Sequence, residues 1–218
     1  MMMDMPRHPF GLTPEEHSAL RGLNTPWKIQ DFLETVPINF EPDGDTCLSP
    51  RRVLREKRAH CIEAAMVAAL ALRLHGQSPL IVDLTATKDD FDHVIAVYRW
   101  KEYWGAISKS NHAVLRYRDP VYRTIRELVL SYFHEYTNDA GRKTLRSYTR
   151  PVNLSKFDHL HWMTSEEDVW EIPIALADAN HFLVMPSSHG RILRQADKIE
   201  QKINQFTQWP QGRVSKIR

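Results

Sequence analysis

At 218 residues and 25.5 kDa the chain fits a single domain, and 42% hydrophobic with 26% charged residues excludes overall disorder. Lysine plus arginine (29) nearly balances aspartate plus glutamate (27), so net charge argues against nucleic acid or an anionic membrane as partner. Two cysteines, Cys47 and Cys61, are too few for a four-thiolate zinc site or a disulfide framework, and eight glycines are too few for a glycine-built phosphate loop.

The first nine residues lack the apolar run of a signal peptide. The longest apolar stretch, 62–72, contains Glu63 and is too short to span a bilayer. The expectation is a cytoplasmic, reduced protein with no membrane or nucleic-acid partner, folded as one α+β domain over 1–218.

Thr13-Pro14-Glu15-Glu16 predicts a capped helix that ends near Gly22. A second helix is predicted over Pro26 to Thr35, then a Pro/Gly/Asp loop over 37–46. Cys47 follows that loop and reads as incidental. Ser49-Pro50 caps a basic helix, Arg51 to Lys57, whose Arg51, Arg52, Arg55, Lys57 and Arg58 read as a solvated face. Cys61 to His75 is apolar on nearly every side, which marks a buried helix, and Gly76 stops it. Leu80–Leu84, His93–Trp100 and Tyr103–Ser108 read as strands of an antiparallel meander.

The second half predicts a helix over Pro120–Tyr136 with Tyr132, Phe133 and Tyr136 in the core. Leu145–Phe157 is mixed and Pro-interrupted. A helix is predicted over Ser165–Asp178, interrupted at Pro173. Gly190 opens a last helix over Ile192–Phe206, and the basic tail after Pro210 reads as loose. His159-x-His161 has strand-like spacing for a metal but no evident third ligand, so no metal or other cofactor is expected.

The chemistry-bearing constellation starts at Cys61, in the first turn of the buried helix. Unpaired backbone N–H groups and the positive end of the helix dipole there favour thiolate. A nucleophilic thiolate needs an imidazole, and His93 opens the second strand. A third group usually orients that imidazole. Ser108, Asn111 and Asp83 are the candidates, whereas Asp92 should point to the other sheet face.

The order of these elements resembles the transglutaminase-like core of the papain-like cysteine-enzyme superfamily. The matching residues are Ser49-Pro50-x-x-Val53-Leu54, Cys61-x-x-Ala64-Ala65 through Leu70 to Gly76, His93-Val94, and Trp104-Gly105-Ala106-Ile107-Ser108. They span roughly residues 26–112, leaving 113–218 as a helical and mixed C-terminal extension packed on that core. The resemblance implies a Cys-bearing helix packed on a small antiparallel sheet, with Cys61 as nucleophile and His93 as base. It also implies a protein, peptide or small-molecule acyl substrate. The family's orienting Asp is replaced by Ser108, and Trp104 would wall the cleft. Two further readings stand beside this one. A transglutaminase-like binding module would hold a peptide or anion, with the Arg/Tyr-rich segments 116–120 and 143–148 as candidate linings. A nucleic-acid binder ranks last.

Overall fold

The computed structural model describes residues 8–210; the basic tail beyond Pro210 and the start of the N-terminal stretch lie outside the described residues. Helix α1 (Pro14–Gly22) begins with a reciprocal cap in which Thr13 Oγ1 accepts from the Glu16 N–H and the Glu16 carboxylate accepts from the Thr13 N–H. Helices α2 (Pro26–Thr35) and α3 (Pro50–Glu56) have one-way caps, from Thr25 and Ser49, and likewise carry proline at the first position. Helix α4 (Cys61–Leu74) has every residue from Ile62 to Leu72 buried, as its all-round apolarity requires. His75 and Gly76 end it, Gly76 with φ +83°.

The chain then forms β1 (Leu80–Thr85), β2 (His93–Trp100) and β3 (Tyr103–Ile107), an antiparallel meander. The predicted helix over Pro120–Tyr136 is corrected by the structure. Residues Arg118–Tyr122 form β4 against β3, and the helix α5 is confined to Ile125–Leu130 behind a Thr124 cap. Tyr132 and Tyr136 are nevertheless in the core, as expected. Strands β5 (Ser147–Thr149) and β6 (Val152–Asn153) both pair with β1. Of the predicted Ser165–Asp178 helix only α6 (Glu171–Ala177) forms. Pro173 lies in its first turn, where the missing N–H has no intrahelical partner to lose. Strand β7 (His181–Leu183) pairs with β5. The last helix is α7 (Lys198–Gln205), shorter than predicted. Asp197 caps it by accepting from the Ile199 and Glu200 N–H groups, and Gly190 lies in a separate 3-10 turn.

Among the described residues seven strands form one open antiparallel sheet in the order β4-β3-β2-β1-β5-β7, with β6 beside β1. Residues after 113 therefore complete the sheet. Side chains alternate across it. Val94, Ala96 and Tyr98 of β2 pack on the α4 side, whereas Ile95 and Val97 pack with Leu128, Tyr132 and Tyr136 on the other. Because both faces are covered, β2 reads as a continuous apolar run. Gly105 is required by packing: a Cβ there would lie 2.4 Å from Tyr98 Cζ and 2.8 Å from the Arg118 carbonyl.

The basic stretch over 51–58 stays at the surface as expected, with Arg55 and Lys57 exposed, and its arginines pair with acids. Arg51 bonds Glu16, Arg52 bonds Glu56 and Asp168, Arg55 bonds Glu166 and Arg58 bonds Glu56. Among the described residues no helix is long and apolar enough to cross a membrane.

Candidate active site

Cys61 is the first residue of α4, and His60 is its N-cap in extended conformation. The helix starts here because the Glu63 carboxylate accepts from the His60 N–H at 2.8 Å. Glu63 is fully buried. Its oxygens also accept from Asn39 Nδ2 at 3.2 and 3.1 Å, Thr46 Oγ1 at 2.9 Å and the Leu48 N–H at 2.8 Å. One carboxylate thus ties the loop around residues 39–48 to the helix that presents Cys61.

The ring of His60 sits against the same acid. Its Nε2 is 3.0 Å from the Thr46 carbonyl, 3.3 Å from Glu63 Oε1 and 3.5 Å from Glu41 Oε1. Carbonyl oxygens only accept, so Nε2 carries a hydrogen. Burial disfavours a charged ring, but the hydrogen bond to Cys61, the charge there and Glu63 raise His60 to about 9. At Cys61 burial favours the thiol. Hydrogen bonds from His60 and His93 outweigh it and bring the sulfur down to about 5. The two imidazoles that flank Cys61 thus favour its thiolate form. Cys47 is the opposite case: it is buried, and burial pushes its thiol up.

His93 begins β2 on the face away from α4. The pairing of Ala96 with Ile107, continued by one step, puts Ser108 opposite Ile95 and diagonal to His93 on the same face. His93 Nε2 lies 2.7 Å from Ser108 Oγ, which lies 2.5 Å from the Leu115 carbonyl. The hydroxyl has one hydrogen, and the carbonyl takes it. His93 Nε2 is therefore the donor to Ser108, which leaves Nδ1 for the sulfur.

Helix α2 fixes Ser108 in turn. The buried Gln30 side chain accepts from the Ser108 N–H at 3.0 Å and donates to its carbonyl at 2.8 Å, as a neighbouring strand would. The next residue, Lys109, is buried and donates to the Leu33 and Val36 carbonyls at 2.8 and 2.5 Å, closing the C-terminus of α2. Burial pushes its ammonium down to about 8.

Two cavities, of about 440 and 450 Å³, meet at Cys61. Both are lined by His60, Cys61 and Asp92. His93 lines the first, together with Tyr136, Asn111 and Asn138; Asp83 and His181 line the second. Of the candidate orienters, only Ser108 meets His93. The Asn111 amide bonds the backbone of Trp209 at 3.1 and 2.9 Å and serves as cavity wall. Asp83 points to the α4 side of the sheet and bonds His181.

Trp104 is corrected: its ring lies under the Arg99 guanidinium on β3, partly buried in the second core cluster, and lines neither cavity. The Arg/Tyr-rich segments are also corrected. Arg116 pairs with Glu34 and Arg118 with Glu135, Lys143 donates to the Arg194 carbonyl and Arg146 to nearby carbonyls. None of these four lines the two cavities. His159 and His161 sit at the end of a 3-10 helix, His161 with φ +50°, so they do not share a strand face. Among the described residues no three His, Cys, Asp or Glu side chains gather as a metal site.

Sequence reasoning missed His60, Glu63 and the Asp83–His181 pair. A histidine directly before the helix-start cysteine, and an acid inside an otherwise apolar helix, were the available signals for the first two. In comparison with known proteins, the chain matches no family model and no curated sequence.

Proposed function

We propose that the protein is a cysteine-dependent acyl-group enzyme of the transglutaminase-like, papain-related type, with Cys61 as nucleophile. The observation that carries this reading is the geometry: Cys61 at a helix start between the His60 and His93 rings, with the far nitrogen of His93 fixed on Ser108. In the first half-reaction the sulfur lone pair attacks the carbonyl carbon of an amide or ester, and the C=O π pair moves to oxygen. The backbone N–H groups that begin α4 would stabilise that oxyanion. The C–N or C–O bond then breaks. His93 gives the leaving group the proton that Cys61 lost, and a thioester remains. Hydrolysis and acyl transfer share this step. Ser108 is a positioning residue: it accepts the His93 Nε2–H, while its own hydrogen is spent on the Leu115 carbonyl.

Small activated esters test the step. With p-nitrophenyl esters the expected result is a nitrophenolate burst of one equivalent per chain and an acyl group on the Cys61 peptide by mass spectrometry, both absent in Cys61→Ser. No burst and no adduct across a series of acyl chains would overturn the enzyme reading and favour the binding module, for which the neutral Ser108 in the orienting position is the supporting observation.

A further inference from the structure

The chemistry above occupies the first cavity, because His93 opens there and the leaving group must depart beside it. The second cavity touches the same sulfur from the α4 side of the sheet and contains an acid the mechanism does not use. Asp83 is buried on β1. Its Oδ2 accepts from His181 Nε2 at 3.0 Å and from Thr85 Oγ1 at 3.1 Å. His181 Nδ1 is 2.8 Å from the Ala179 carbonyl, so it donates there, and a second proton lies between Nε2 and Oδ2. Burial pushes the Asp83 carboxyl up, and the hydrogen bond to His181 opposes that. Among the described residues Asp83 Oδ1 has no hydrogen-bond partner, yet it is not sealed from the cavity. Ile62, Val94, Leu176 and Ala177 give the cavity aliphatic walls, and Asp92 adds a second carboxylate. Among the described residues no Lys or Arg lines it, and its cationic group is the His60 ring beside Cys61, which the sulfur and Glu63 already engage.

We infer that the second cavity holds the acyl part of the substrate and selects an acyl group ending in a primary ammonium on an aliphatic stem. The stem lies on the apolar walls, and the ammonium meets Asp83 Oδ1. A neutral apolar end would leave that oxygen without a donor, and a carboxylate end would meet Asp83 and Asp92. The inference rests on Cys61 being the nucleophile and adds the substrate class.

Thiol-reactive methanethiosulfonates with different tails test it without a known substrate. The Cys61 thiolate attacks the reagent's sulfenyl sulfur, a disulfide forms and methanesulfinate leaves. Rates are measured in the Cys47→Ser protein for aminoalkyl tails of two to six carbons and for hydroxyl- and sulfonate-ended counterparts. Each rate is divided by that of a free small thiol. The best aminoalkyl reagent is expected to react about tenfold or more faster than its hydroxyl counterpart. Asp83→Asn should remove most of that preference. Ala177→Lys, at an exposed position on the cavity wall, should turn the preference toward sulfonate. Fast reaction with equal normalised rates, or a preference untouched by both substitutions, would overturn the ammonium pocket and leave Cys61 standing. Uniformly slow reaction would overturn the nucleophile and the pocket with it.

Discussion

Replacing Glu63 by leucine is expected to destabilise the protein by about 3–5 kcal/mol, the range for breaking a buried, fully bonded charge. The carboxylate is 0% exposed and accepts from two backbone N–H groups and two side chains. Leucine has a suitable size but leaves those donors in an interior with no acceptor, each at a cost of about 1–3 kcal/mol if unrelieved. Removing the acid also removes the negative charge that helps to hold His60 protonated. Urea denaturation gives the result directly, as a lower midpoint at unchanged slope. A midpoint equal to that of the parent would show that Glu63 does not organise the helix start.

The second large effect belongs to His93. In His93→Ala the rate of acylation by alkyl esters or amides, whose leaving groups need a proton, is expected to fall by about 10²–10⁴, the usual contribution of a positioned general acid or base. The side chain is buried but ends at a cavity, so truncation should leave the fold intact. Ser108→Ala should act in the same direction but less strongly, because the ring keeps its packing and loses only its acceptor for Nε2–H. A His93→Ala protein that acylates at the parent rate would remove His93 from the mechanism.

Much of this arrangement is legible in the amino-acid sequence where one local rule dominates. Proline after Thr25 and Ser49 sets the starts of α2 and α3, and Gly76 sets the end of α4. A meander of apolar strands joined by short turns has few topologies open to it, so Cys61, His93 and Ser108 fall at helix start, strand start and strand end as expected. The failures lie where tertiary pairing overrides local preference. The helical pattern over 120–136 loses its first residues to an edge strand, because β3 offers Arg118–Tyr122 a row of unpaired backbone groups. The helix predicted over Ile192–Phe206 gives way before Asp197, where Ala196 donates its N–H to the Gly141 carbonyl instead. Trp104 shares a sheet face with Ser108 but lies at the other end of β3, beside Arg99, too far along the strand to reach the cleft. Asp83 and His181 are 98 residues apart and meet only because β7 joins the sheet through β5. No local spacing encodes that contact.

The central claim is that Cys61 is a thiolate held by imidazole at neutral pH. Its most direct test is the rate of Cys61 alkylation by iodoacetamide against pH, in a Cys47→Ser background. The Cys61 acidity is shifted from 9.0 to about 5. Burial opposes this shift and the hydrogen bonds from His60 and His93 drive it. The thiolate should therefore persist as pH falls from 9 and be lost only as pH passes down through about 5. His60, raised from 6.5 to about 9, stays imidazolium until pH rises through that value. The predicted profile is a rate plateau from about pH 6 upward with a fall centred near 5, and His60→Gln and His93→Ala should each move the fall to higher pH. A single rise near the ordinary thiol value of about 8.5, unchanged by either substitution, would contradict the account.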